Sequence, residues 1–413
     1  MSFFPSSSIM CWNVLHGSAN IYLSYGSNTA YVIDFGVHQR YIYYEIVKYA
    51  VKHGYEVLSA AEHRDIFITH LHYDHYSLLP YIANGLSIHS IYLPVIPYPE
   101  PIAEKILYLY AFLIVRVPGY RVFRDILEKG KNRVIGLTRG DVIELHDNLY
   151  MKILWPPRTL PPNITKKFEN KLKKVHEEIK EEARKEGIEK DVNEIFEYLK
   201  RVLMPSKEEC EGEEYRKIKD QEVSEGSSVI WKTKPEKRRK SVRDEIDSKI
   251  KRVLRIFRGI ANHISLVLKV YHGNPLKSCS KAIALIPGDA SDAVLNYVAE
   301  LEKGEPSQHK YLIFLRAAHH GTHYGKYIDE HSSIVAWISW TSRIPLNLKT
   351  SKNLKKYLLN PRLIIKLLAE SLKKVPYRRP LLHILYDHPY YWPYFLHLNI
   401  ELNNGVIITL ELE

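Results

Sequence analysis

Cysteine is scarce in this chain: Cys11, Cys210 and Cys279 are the only three in 413 residues. They lie far apart, are odd in number and form no Cys-x-x-Cys pair. This excludes a disulfide framework and a zinc ribbon and fits a reducing compartment. Each reads as a small buried hydrophobe. Long apolar runs are also missing. No window reaches the ~18 uninterrupted apolar residues of a transmembrane helix. The opening MSFFPSSSIMCW has no basic segment and no long apolar one, so it does not read as a signal peptide. These absences predict a cytoplasmic protein with no membrane partner. There is no internal repeat. Methionine is rare, at four, while tyrosine reaches 30, and Lys, Glu and Ile are plentiful. That bias leans towards a thermophilic source.

What is present is a globular composition, 45% hydrophobic and 26% charged, with a formal net charge of +12. So basic a balance favours polyanionic partners, nucleic acid or nucleotide, over acidic or neutral ones. A lysine-rich solvated surface gives the same number.

Residues 9–36 read as two strands around a Gly26-Ser27-Asn28 turn, the second ending at Asp34-Phe35-Gly36. Residues 40–53 carry a helical pattern, and a short strand at 66–68 runs into Thr69-His70. Residues 102–116 are apolar and helical, and a strand at 151–155 stops at Pro156-Pro157. Beyond it Lys, Arg and Glu dominate residues 163–258. Phe168, Leu172, Val175 and Ile179 are spaced four, three and four apart, and after Gly187 the seam resumes at Ile188, Val192, Ile195, Leu199 and Val202. Residues 206–240 lack periodicity and read as a mobile loop. Val242, Ile246, Ile250, Val253 and Phe257 mark a further amphipathic helix. The expectation is a charged helical hairpin, its seams packed on each other, standing as an arm outside the host domain. Strands return at 264–270, 282–286, 311–315, 334–339, 397–402 and 406–412, with a helix at 292–302. The organisation predicted is a first half-domain at 1–160, an inserted arm at 161–258 and a second half-domain at 259–413. The last carries a smaller basic insertion at about 345–385.

The decisive segment is Thr69-His70-Leu71-His72-Tyr73-Asp74-His75, in which three imidazoles and a carboxylate crowd six residues straight after an apolar strand. Imidazole nitrogen and carboxylate oxygen suit Zn²⁺, Mn²⁺ and Fe²⁺. Alternation puts His70 and His72 on one side as a chelating pair, and Asp74 and His75 can serve a second ion. Asp289, after Pro287-Gly288 at another strand end, can bridge two ions, although a Gly-Asp there is also a common turn. His319-His320-Gly321 follows a third strand and is ligand-like. Asp34 reads as a carboxylate that orients a ligand histidine.

These segments, in this order, resemble the metallo-β-lactamase superfamily, and more closely the hydrolase domain of ComEC-like DNA-uptake proteins and their soluble relatives. The branch features are residues 14–19 after the first strand, Asp34-x-Gly36, the HxHxDH loop, Trp155-Pro156-Pro157, Asn262-x-x-Ser265-Leu266-Val267-Leu268, Gly288-Asp289 and His319-His320-Gly321. The resemblance covers 10–160 and 260–340. It implies an α/β fold, an αββα sandwich with metals at one edge. It implies two divalent ions, Zn²⁺ or Mn²⁺, and hydrolysis by a water activated between them. Asp74, His75 and Asp289 are the catalytic candidates. His70, His72, Asp74, His75, Asp289, His319 and His320 are the metal candidates. His263 stands near where many members place a further ligand, and reads equally as a ligand or as a histidine that packs. The sequence departs from the pattern at Ser77-Leu78, where two glycines are usual, and at Thr322, where serine is. His323 or His388 could donate a proton to the leaving group.

The reading that follows is a phosphodiesterase or nuclease acting on nucleic acid or nucleotide. Lys237, Arg238, Arg239 and Lys240 could track a phosphate backbone, or simply keep the insertion soluble among its many glutamates. Ester, lactone or thioester hydrolysis by the same metals is the alternative. A further one is a docking protein that engages a partner through the helical arm.

Overall fold

The computed structural model describes residues 7–12, 14, 17–129, 133–146, 148–204, 217–218, 243–277, 279–337, 352–353, 356–357, 395–401 and 407–412. The strands among them are β1 (Ser7–Trp12), β2 (Gly17–Ser24), β3 (Thr29–Val37), β4 (His63–Phe67), β5 (Ser90–Pro94), β6 (Val134–Leu137), β7 (Val142–Glu144), β8 (Leu149–Trp155), β9 (Lys217–Ile218), β10 (Val267–His272), β11 (Lys281–Ile286), β12 (Tyr311–Arg316), β13 (Ser332–Trp337), β14 (Phe395–Glu401) and β15 (Ile407–Leu412). The helices are α1 (Glu45–Ala60), α2 (Tyr73–Tyr76), α3 (Leu79–Ile82), α4 (Glu100–Arg116), α5 (Pro118–Lys129), α6 (Pro162–Lys185), α7 (Glu189–Leu203), α8 (Arg243–Ala261), α9 (Asp292–Leu301) and α10 (Lys326–Asp329).

One sheet runs β15-β14-β1-β2-β3-β4-β5-β6 and the other β13-β12-β11-β10-β8-β7-β9. The first is antiparallel from β15 to β3 and parallel from β3 to β6. Side chains alternate across each strand, and in β1, β2, β3 and β5 both faces are covered. Ile9, Cys11, Tyr31 and Ile33 enter the core between the sheets, where they meet Met151, Ile153, Leu268 and Phe314. Their neighbours Met10, Trp12, Ala30 and Val32 join the outer core under the helices. All nine residues of β3 are buried for this reason. Helix α1 covers one sheet with Val47, Ala50 and Leu58, and α9 lies in the outer core with Val294, Leu295 and Val298. The result is the αββα sandwich expected.

Residues 9–36 lie in three strands, where two were expected. The extra one is β1, which pairs β2 on one side and β14 on the other. The stretch between β1 and β2, from Asn13 to His16, has no Gly, Pro or Asp to announce a turn.

The inserted helices do not stand outside the sandwich. Eleven of the 17 residues of α4 are buried, more than one apolar stripe supplies. A helix that is apolar on several sides must be covered on several sides, and α6, α7 and α8 do this. Phe168, Leu172, Val175 and Ile179 of the α6 seam belong to the main core. Tyr108 packs on Phe196 at 5.8 Å and on His176 at 5.4 Å, and Tyr110 stacks on Phe257 at 5.1 Å between ring centroids. Arg116 pairs with Glu186 at 2.7 Å, and Lys200 with Glu104. Each buried seam side chain contributes roughly 1.5–3 kcal/mol, an upper estimate. The seam was correct; the surface it packs on was not.

Within the expected mobile loop, Lys217 and Ile218 pair with β7. Lys237, Arg238, Arg239, Lys240, Cys210 and His388 lie outside the described residues. So does most of the insertion at 345–385, apart from 352–353 and 356–357. Among the described residues, no single helix is long and apolar enough to cross a membrane.

Candidate metal centre

The centre forms where the ends of β3, β4, β11 and β12 meet the segment before β10. Asp34, on β3, has a left-handed backbone (φ 56°) and is buried. Its carboxylate accepts from Thr69 N at 2.7 Å and Thr69 Oγ1 at 2.6 Å, and lies 2.7 Å from His75 Nδ1. Nδ1 of His75 therefore carries a proton. Burial would lower its pKa, but Asp34 and then Asp289 outweigh this and hold it well above the usual imidazole range, so an ion taking the Nε2 lone pair would displace a proton. Helix α2 lies directly on β3: a Cβ on Gly36 would come within 2.5 Å of Tyr76 N and 2.7 Å of Asp74 O. Asp34-Phe35-Gly36 is thus one device, a carboxylate to orient His75 and a glycine to admit the helix that carries it.

On the opposite side Gly288 adopts φ 52°, and a Cβ there would collide with Ser265 Oγ and lie 3.0 Å from Thr69. Ser265 Oγ accepts from Asp289 N at 3.0 Å, and Leu266 N donates to Thr69 O at 2.7 Å. These bonds lock the Asp289 turn onto the histidine loop. His319 and His320 both have left-handed backbones, φ 45° and 55°, which is costly for residues bearing a Cβ and persists only where surrounding contacts enforce it. His319 N donates to Gly288 O at 3.0 Å, and Ala318 N to the hydroxyl of the fully buried Tyr357 at 3.0 Å. Tyr357 in turn donates to His323 O at 2.7 Å.

Two donor sets result. His70, His72 and Asp289 each bring one ligand atom to within 4.8 Å of the others, and so do Asp74, His75 and His320. Asp289 joins the sets. Its Oδ2 is 3.5 Å from His70 Nε2 and 3.6 Å from His319 Nε2, and its Oδ1 is 3.4 Å from His75 Nε2. His320 Nε2 is 3.8 Å from Asp74 Oδ2.

The electrostatics suit cations. Burial, then the neighbouring His70, holds His72 well below the usual imidazole range; burial, then His75, lowers His70. Burial drives His319 down to about 3. Neutral imidazoles are the form that binds metal, and His70, His72 and His319 are held in it, whereas Asp34 and Asp289 hold His75 in the charged form until an ion replaces its Nε2 proton. Burial would push Asp289 up, yet His319, His75 and His70 together hold it well below the carboxylate range. The buried Nε2 of His72 has no hydrogen-bond partner among the described residues. Such an atom costs free energy unless something satisfies it, and a divalent ion fits this donor set.

His263 does not join either set. Its Nδ1 donates to Gly259 O at 2.7 Å, its Nε2 faces Lys167 Nζ at 3.0 Å, and its ring packs on Phe168 at 5.6 Å. Both nitrogens are used, so of the two readings left open it is the histidine that packs. Helix α8 runs on to it and turns its ring towards α6. His323 lies beside the centre, 4.7 Å from the His319 ring, with Nδ1 3.0 Å from Asp292 Oδ1.

The sequence did not point to Thr69, Ser265, Phe257, Asn262 or Tyr357. Thr69 and Ser265 were within reach, since each is a hydroxyl residue inside a quoted motif. Asn262, with Nδ2 3.5 Å from His319 Nδ1, opens the quoted Asn262-x-x-Ser265 motif and was also within reach, whereas Phe257, with its ring 6.2 Å from that of His72, comes from the end of the inserted segment, where no local pattern places it at this site.

A two-sheet sandwich with paired His/Asp donor sets at one edge is the architecture of metallo-β-lactamase-type domains. Residues 15–147 match the family model described as Metallo-beta-lactamase superfamily. The match ends before β8, and the half supplying Asp289, His319 and His320 lies beyond it. No curated protein matches the chain.

Proposed function

We propose that this protein is a metal-dependent hydrolase of phosphodiesters, in nucleic acid or nucleotides. The observation that carries the hydrolase reading is Asp289, whose two oxygens face the two donor sets at 3.4–3.6 Å. His70, His72 and Asp289 would hold one ion, with His319 beside them; Asp74, His75 and His320 would hold the other. Bound Zn²⁺ or Mn²⁺ would supply Lewis acidity and bring the pKa of a water towards neutrality. Asp34 keeps the His75 lone pair aimed inward. His323, fixed by Asp292 and 4.7 Å from the His319 ring, is an imidazole placed to pass a proton to a leaving group.

The phosphodiester reading is supported by the net charge of +12 and by the resemblance of the Trp155-Pro156-Pro157, Asn262-x-x-Ser265 and His319-His320-Gly321 segments to ComEC-like hydrolases. The test is hydrolysis by metal-stripped protein resupplied with Zn²⁺ or Mn²⁺. The substrates are single- and double-stranded DNA and RNA, bis(p-nitrophenyl) phosphate and p-nitrophenyl butyrate. Turnover of the diesters, falling steeply with salt on the polymers, is expected. Turnover of the carboxylic ester alone would replace this reading with ester hydrolysis.

A further inference from the structure

We infer that the inserted helices supply a phosphate-binding subsite beside the metal centre, formed by Lys167 and Lys171 and holding a phosphate next to the one hydrolysed. The inference rests on the phosphodiesterase reading and narrows it to substrates with at least two phosphate groups, oligonucleotides above all.

Lys167 and Lys171 are one turn apart on α6, so both ammonium groups leave the same face. That face meets the last turn of α8. Lys167 Nζ donates to His263 Nε2 at 3.0 Å, and a Cβ on Gly259 would lie 3.4 Å from Lys171 Nζ. The glycine leaves room for the second ammonium. His263 is fixed by its Nδ1 bond to Gly259 O, so it acts as a positioning residue that aims Lys167. Its neighbour Asn262 reaches His319, which lies 3.6 Å from Asp289. One residue thus separates the lysine pair's anchor from the wall of the metal centre.

Several cations of these helices have carboxylate partners. Among the described residues Lys167 and Lys171 share with Lys166 and Lys173 the lack of one, and differ from those two in converging on the end of α8. Arg252 pairs with Glu178, Lys185 with Glu181, Arg184 with Glu189 and Lys200 with Glu104. Among the described residues, Lys167 and Lys171 have no carboxylate partner. Lys171 is near enough to feel the Lys167 charge, since burial and then Lys167 lower its pKa. Two like charges converging without a counter-charge are stabilised by an anion, and phosphate oxygens accept from ammonium donors well.

The test compares wild type with the double variant Lys167→Gln/Lys171→Gln and with Lys167→Arg/Lys171→Arg. One readout is anisotropy of a labelled single-stranded DNA 20-mer in EDTA at several salt concentrations. The other is turnover of that 20-mer and of bis(p-nitrophenyl) phosphate, which has a single phosphate. The glutamine variant should lose at least about 10-fold in oligonucleotide affinity, with a salt slope shallower by about 1–2. Its loss of turnover on the 20-mer should exceed its loss on the small diester by a similar factor, and the arginine variant should restore binding. Oligonucleotide affinity and salt slope equal to wild type, in a protein that still hydrolyses the small diester, would overturn the subsite and leave the phosphodiesterase reading intact. Hydrolysis of neither diester by wild type would overturn both.

Discussion

The Phe257 ring centroid lies 6.2 Å from that of His72, so a helix from the inserted segment forms a wall of the candidate metal centre. Phe257 also stacks on Tyr110 of α4 at 5.1 Å with an interplanar angle of 5°. The insertion is therefore core on one side and site on the other.

Replacing residues 163–258 with a short linker should abolish the cooperative thermal transition, because it uncovers α4. Phe257→Ala should cost about 3–5 kcal/mol, the range for removing a buried aromatic side chain. Urea denaturation of the point variant and circular dichroism of the deletion check both. A deletion that melts like the full chain would show that the insertion is an independent arm after all.

This packing was the least legible part of the sequence. A seam at Phe168, Leu172, Val175 and Ile179 says that one helix face is buried but not against what. The near-continuous apolarity of α4 was the missing half of the argument. The histidine loop was legible for the opposite reason: a strand, a turn and four ligand-type side chains sit within a few consecutive residues, and the Asp34-x-Gly36 stretch of β3 and the Gly288-Asp289 turn need their glycines for close backbone approach. His263 could not be assigned from its position alone, because its partners Lys167 and Phe168 lie in the insertion and Gly259 just after it, which the resemblance did not cover.

Asp34→Asn should weaken metal binding by about 10–100-fold, the effect of losing a partner that orients a ligand histidine. The amide can still face Thr69 but no longer favours the His75 tautomer with its lone pair on Nε2. Competition against a chromogenic chelator measures it. Unchanged affinity would mean that His75 is held by its packing alone.

A separate charged network stabilises the second sheet. Lys269 is fully buried and its Nζ donates to Glu305 at 2.7 Å, while Tyr271 and Tyr327 donate to the same carboxylate at 3.1 and 3.0 Å. Burial works to raise the Glu305 pKa, yet His331 and Lys269 outweigh it and bring it to about 2, below its ordinary 4.5. A carboxyl depressed on folding contributes stability that is full above its unfolded value and is lost as pH falls through the folded one. Glu305→Gln should thus destabilise by about 3–5 kcal/mol at neutral pH, leaving a buried charge unpaired. The gap from wild type should narrow between pH 4.5 and 2. Urea midpoints of both proteins across that range are the check, and a gap independent of pH would reject the account.

His72→Ala and Asp74→Asn should each lower hydrolysis by at least about 100-fold, the scale for losing a strong transition-state stabiliser. In His72→Ala metal-free stability should stay level or rise, because the buried Nε2 of His72 has no hydrogen-bond partner among the described residues. Activity assays at matched metal, together with melting in chelator, separate loss of function from loss of fold.

The central claim is that Asp289 joins two donor sets into one two-ion hydrolytic centre. Titrating metal-stripped protein with Zn²⁺ or Mn²⁺ while following bis(p-nitrophenyl) phosphate turnover tests it most directly. The account predicts no turnover in chelator, recovery that saturates at two ions per chain, and loss of that recovery in Asp289→Asn. Full turnover in chelator, or recovery in Asp289→Asn equal to wild type, would contradict it.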